Sequence, residues 1–214
     1  TKTMLAELGL KDDKCEYIAI GDGAPAGAAI DNDRVDAMVA FDTATARIEL
    51  VGTKLRYVPL TPKFAQLGSG WMCVPRKLLK EERKSLVALF QGIAKSTIFA
   101  NANLEAAIDL HWSVYPESRP KGRSEEEARK ELAFILKDRK NSWMRRPDDP
   151  DQRMGASSLA EWKANIEMTA ESTKNPKLAE ELGDPNRLFT NELIDDINAF
   201  DKQAVVQMAK EFKL

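Results

Sequence analysis

Two places in this sequence set small or acidic residues directly after an apolar run and directly before a helical pattern: Gly21-Asp22-Gly23-Ala24 and Asp42-Thr43. Glycine permits a sharp turn and leaves backbone donors within reach, while a carboxylate or hydroxyl at a helix start accepts hydrogen bonds from the backbone or from a ligand. This is binding chemistry, with no bond-breaking group in it. For the glycine turn, a plain tight turn and a ligand-contacting loop are both open. Asp42 stays open between a helix cap and a contact to an ammonium, amidine or hydroxyl; a sulfonate or nitrate would meet like charge there. Trp71 brings a broad apolar face suited to covering a ligand or to ordinary packing.

Several other chemistries are excluded by spacing. Glycines 21, 23 and 27 miss G-x-G-x-x-G by one place, and no Gly-Lys-Ser/Thr follows to make a phosphate loop. Asp31, Asn32, Asp33 and Asp36 fail as a calcium loop because Asp36 stands sixth, where glycine is needed. His111 is the single histidine and has no Cys/His set near it, so neither a metal nor a nucleophile–base pair is expected, and no cofactor. Cys15 and Cys73 have no metal or redox spacing; two free thiols and one disulfide are both open. A formal charge of -2 over 214 residues gives no basic surface for nucleic acid, and no apolar run reaches membrane-spanning length.

The elements that must position these residues follow from periodicity. Tyr17–Ile20, Val35–Phe41, Lys54–Val58 and Trp71–Val74 are short apolar runs that read as strands, and Pro25 suits a helix start. Residues 16–50 thus predict a β-α-β-α unit. A helix over residues 1–8 stops at Gly9, and Lys11–Lys14 form a polar turn. Gly68 and Gly70 suit a hinge or simple turn geometry. Leu86, Leu89, Phe90 and Ile93 predict a helix from Lys80 to Ala100, interrupted at Asn101, with another from Leu104 toward Tyr115. Ser124…Glu127 and Ser158…Glu161 are capping boxes, the first opening a helix that runs to about Lys140. Trp143–Asp151, including Asp148, reads as a solvated loop or a packing insertion. A short helix ends at Gly183, and Asp201 caps the last one, with Phe200 and Val205 as a hydrophobic staple.

Gly23-Ala24-Pro25-Ala26-Gly27-Ala28-Ala29-Ile30, the following Asp31-Asn32-Asp33-Arg34-Val35-Asp36-Ala37, the segment Gly70–Pro75 and the stretch from Thr190-Asn191-Glu192 to Phe212 resemble the type II periplasmic solute-binding proteins. Within that family they are similar to the branch that includes nitrate, sulfonate, taurine and thiamine-precursor binders. The resemblance implies an α/β fold, with residues 1–65 as a partial second lobe built on a parallel β-α unit. Residues 66–214 would be the return crossover and the helix-rich part of the first lobe. It implies that Gly21, Asp22, Gly23, Ala24, Asp42, Thr43 and Trp71 bind a small organic solute and that the solute passes to an ABC permease outside the cytoplasm, without catalysis. Family members carry a first-lobe segment before anything resembling Thr1, so a missing N-terminal segment or self-association is also expected. A related-fold pyrimidine-precursor enzyme and a helical scaffold or interaction protein are the competing classes.

Overall fold

A computed structural model of the chain describes residues 2–9, 15–65, 67–68, 70–147 and 149–213. The 11–14 turn and Asp148 lie outside them. Among the described residues the regular structure is helical, and none lies in a strand or bridge. The helices are α1 (Lys2–Glu7), α2 (Ala24–Asp31), α3 (Asp42–Leu50), α4 (Pro62–Ala65), α5 (Arg76–Glu81) and α6 (Arg83–Ala102). They continue with α7 (Leu104–Val114), α8 (Glu125–Leu136), α9 (Leu159–Thr173), α10 (Leu178–Leu182), α11 (Ile194–Asn198) and α12 (Lys202–Glu211). The chain divides into two units interleaved in sequence: Thr1–Ala19, Arg56–Glu81 and Ala156–Leu193 form the first, and Ile20–Leu55, Glu82–Gly155 and Ile194–Leu214 the second.

The α/β expectation therefore fails, and the resemblance to type II periplasmic-binding proteins fails with it. The runs expected as strands follow an open path, with neither helix, turn nor bend, at 15–20, 37–41, 53–60 and 71–75. A helix closes its hydrogen bonds within one segment, whereas a strand takes them from a neighbour, and these runs form no ladder with one another. An apolar run describes side chains that would suit a sheet; it does not supply the second strand. Solute capture in a two-lobed α/β cleft, delivery to an ABC permease and the related-fold enzyme all required that sheet. The solute, the permease and the missing first-lobe segment or self-association, expected as partners from the resemblance, lose their basis in the same way.

The second unit is organised on α6, which buries Leu86, Ala94 and Ile98 and carries α7, α11 and α12 against it. From there α7 packs on α8, α8 on α3, and α3 on α2. Gly27 makes the last contact possible: a Cβ there would stand 2.8 Å from Thr53 Oγ1 and 3.3 Å from Ile48 Cγ2. The buried Thr53 hydroxyl is satisfied by donating to Asp31 Oδ2 at 2.8 Å. The break expected at Asn101 falls at Asn103, which leaves helical geometry (φ -145°, ψ 90°), accepts from the Ala106 N–H at 3.1 Å and donates to the Ala209 carbonyl at 2.8 Å. One side chain thus starts α7 and ties it to α12. The Ser124 capping box opens α8, and Asp201 accepts from Gln203 and Ala204 N–H groups to open α12. α8 ends at Leu136, short of Lys140, and a 3₁₀ turn over Arg139–Ser142 follows it.

In the first unit α9 opens with the Ser158 capping box and packs against α1, α10 and the 3₁₀ turn Pro185–Arg187. Gly183, at φ +70°, ends α10 as its position predicts. Cys15 and Cys73 are free thiols.

Among the described residues, Asn191 and Asn198 each grip one distant residue's backbone through both ends of the amide. Asn191 accepts from Ser157 N–H at 3.0 Å and donates to Ser157 O at 2.8 Å, within the first unit. Asn198 accepts from Met154 N–H at 2.8 Å and donates to Met154 O at 3.0 Å and Ile194 O at 2.8 Å, within the second.

Candidate functional site

The glycine turn is spent on its own geometry. Gly21 and Gly23 have φ of +77° and +61°, and Asp22 folds back so that Oδ1 accepts the Gly23 N–H at 2.6 Å. Gly23 is the N-cap residue of α2 and Ala24 its first helical residue, with Pro25 in the first turn. Gly21, Asp22 and Ala24 are exposed and Gly23 half-buried, so the turn faces solvent at the head of an eight-residue helix.

Asp42 is placed one step later than a cap, as the first residue of α3 behind Phe41. Its Oδ1 accepts the Thr43 N–H at 2.7 Å and pairs with Arg139 Nη2 at 2.6 Å. Both side chains are about one-third exposed, at 31% and 36%. The charge that could have met a cationic ligand already has a guanidinium from the same unit. Thr45 donates to the Asp42 carbonyl, which further occupies this helix start. Arg139 was missed in the sequence because it stands in a run of mixed charges beyond α8, with nothing local to link it to Asp42.

Trp71 belongs to the first unit, and there it joins an aromatic stack. Its ring lies 5.0 Å from that of Trp162, and Trp162 lies 5.9 Å from Phe189 at an interplanar angle of 7°. Gly68 permits this placement, since a Cβ there would stand 3.1 Å from Trp71 Cζ2. Trp162 Nε1 is buried without a hydrogen-bond partner. The six residues from the glycine turn and the α3 start thus share the second unit, where α2 packs on α3, while Trp71 packs among aromatics of the first.

Two charged clusters elsewhere are paired for structure. Arg153 bonds to Asp151 and Asp195, and its hydrogen bonds hold the Asp151 carboxyl at about 2. Arg129 bonds to Asp109 and Glu125, and the Asp109 bond raises its pKa. Among the described residues no three His, Cys, Asp or Glu side chains converge as a metal site, and no helix is long and apolar enough to cross a membrane.

The buried apolar residues separate the two units, whereas among the described residues each exposes nine large ones. Among the described residues the first unit buries only Ala156, Ile166 and Leu193, against sixteen apolar residues in the second. It exposes nine large ones: Leu8, Tyr17, Ile18, Tyr57, Val58, Leu60, Trp71, Met72 and Leu182. Seven of these nine lie on the open runs 15–20, 53–60 and 71–75. The sequence carried the signal for this surface, namely apolar runs too short for helices, but read it as sheet interior. Comparison with known proteins brings no relative to bear: no family model, curated protein or solved structure matches the chain.

Proposed function

We propose that the chain is a non-catalytic binding protein whose first unit takes up a segment of another polypeptide. The observation that carries this reading is the inverted apolar balance of that unit, with Val58, Leu60 and Met72 each more than 60% exposed on chain that forms no ladder. Large apolar side chains exposed at several positions along such runs mark an interaction surface, and extended backbone pairs readily with another extended backbone laid beside it. Arg56 lies within one run and Arg76 directly follows another, where Lys77 pairs with Glu81; Glu16 lies in the third. A segment alternating apolar and acidic residues therefore matches both the side chains and the charge. An extracytoplasmic setting rested on the resemblance alone, and nothing in this reading requires it.

Selection of short random peptides on the immobilised protein tests the proposal. Binders are expected to alternate apolar and acidic residues and to slow amide hydrogen exchange in 56–60. The double variant Val58→Lys, Leu60→Lys should keep its helical circular dichroism and lose those binders. Peptides that bind the variant equally well, or that leave exchange in 56–60 unchanged, refute the proposal. So does a concentration-dependent dimer that already protects these amides without peptide.

A further inference from the structure

We propose that α7, α8 and Trp143 form a binding site for a small phenol, meaning one aromatic ring bearing a neutral hydroxyl. The site lies within the second unit and is independent of the polypeptide surface proposed above. Leu104, Ala107, Ile108 and His111 of α7 face Leu132 and Leu136 of α8 across an open-mouthed cavity of about 300 Å³, with Trp143 on its wall. The α7 positions fall at steps of three, one and three, which puts them on one helical face. Ile108, only 2% exposed, forms a core cluster with Trp112 and Ala128, and Leu104 and Leu132 pack against that cluster. Packed interior therefore backs the cavity.

The size and the lining define the ligand. A volume at the lower end of the range for small-molecule pockets admits one ring rather than two. The wall is aliphatic except for the His111 imidazole and the Trp143 indole, so ordered water would find too few partners and an apolar ring gains by entering. His111 stands at the exposed rim, with the Tyr115 ring 5.2 Å from its own. A neutral imidazole accepts a hydrogen bond from a hydroxyl. A carboxylate would lose its hydration and gain a single donor from His111, so the neutral group is preferred.

Because the chain holds one histidine, the His111 Cε1–Hε1 resonance reports on this wall alone. Titration with 4-methylphenol should shift that resonance saturably. Toluene, which has the ring without the hydroxyl, should bind about fivefold more weakly, the worth of one modest hydrogen bond. Ala107→Phe fills the cavity and should abolish both shifts while leaving circular dichroism unchanged; should that variant fail to fold, Ala107→Leu decides in its place. In His111→Leu, followed through the Trp143 indole N–H resonance, the two compounds should bind equally. A shift that rises linearly without saturating overturns the proposal, as do saturable shifts that persist in the filled variant or equal affinities for the two compounds in the parent chain.

Discussion

Replacing Asn198 tests whether a side-chain amide can stand in for a backbone ladder. Its three hydrogen bonds, at 2.8, 3.0 and 2.8 Å, hold Met154 from both sides and cross to the Ile194 carbonyl. At a net ~0.5–1.5 kcal/mol for each bond, and with the site part-buried so that water recovers some of the loss, Asn198→Ala should destabilise the second unit by ~2 kcal/mol. Asn198→Asp is the more telling change. It keeps the acceptor for Met154 N–H but turns both donors into lone pairs facing the Met154 and Ile194 carbonyl oxygens. That contact disfavours the charged form, so the folded pKa of the new carboxyl rises above its unfolded value. A raised folded pKa contributes stability below the unfolded pKa and loses it as pH rises through the folded one. The aspartate variant should therefore be the less stable of the two at pH 7 and recover relative to the alanine variant as pH falls toward 4. Denaturant unfolding across that range measures the effect, and amide exchange at Met154 locates it. An alanine variant within ~0.5 kcal/mol of the parent, a loss smaller than that of one ordinary buried bond, would refute the reasoning.

Gly27→Ala should cost ~1–3 kcal/mol in chemical denaturation, because the new Cβ overlaps Thr53 Oγ1 on the face where α2 meets α3. Asp42→Asn should cost less than ~1 kcal/mol, and a double-mutant cycle with Arg139→Ala should return the same small coupling, since both side chains of the pair are about one-third exposed. Asp151→Asn should flatten the acid limb of the stability curve. The depressed Asp151 pKa contributes fully above its ordinary value of 3.8 and is lost as pH falls through about 2. With Arg153 at 42% and Asp151 at 32% exposure, solvent screening limits the effect to ~1 kcal/mol or less.

Features closed within a few residues were legible in the sequence. Ser124 with Glu127, Ser158 with Glu161, and Asp201 before α12 each form the bonds that their spacing predicts, because both partners lie within one helical turn. Gly183 ends its helix for the same reason. Asn103 was missed by two residues, because Asn101 has the same side chain and only tertiary context decides which of them leaves the helix. The sheet failed because Tyr17–Ile20 and Lys54–Val58 carry β-type composition without a neighbour to pair with, and composition cannot count neighbours. Glycine and aspartate turns before small-residue helices occur in helical proteins too, so the motifs behind the resemblance could not separate the two folds. The Arg139 partner of Asp42, the cavity beside His111 and the grip of Asn198 on Met154 all join residues far apart in the chain. For those, a residue's type shows what it can bond to but gives no information about where its partner lies.

The sparse interior of the first unit has a calorimetric consequence. The heat-capacity change of unfolding is set chiefly by apolar surface newly exposed to water. A unit that buries Ala156, Ile166 and Leu193 and already exposes nine large apolar residues has little left to expose. Its stability curve should be shallow, with weak response to denaturant and a broad thermal transition, while the second unit carries the larger share of the heat-capacity increment. On this account the missing increment is deferred to association: it should appear as a large negative heat-capacity change when a partner segment covers Tyr57, Val58, Leu60 and Met72.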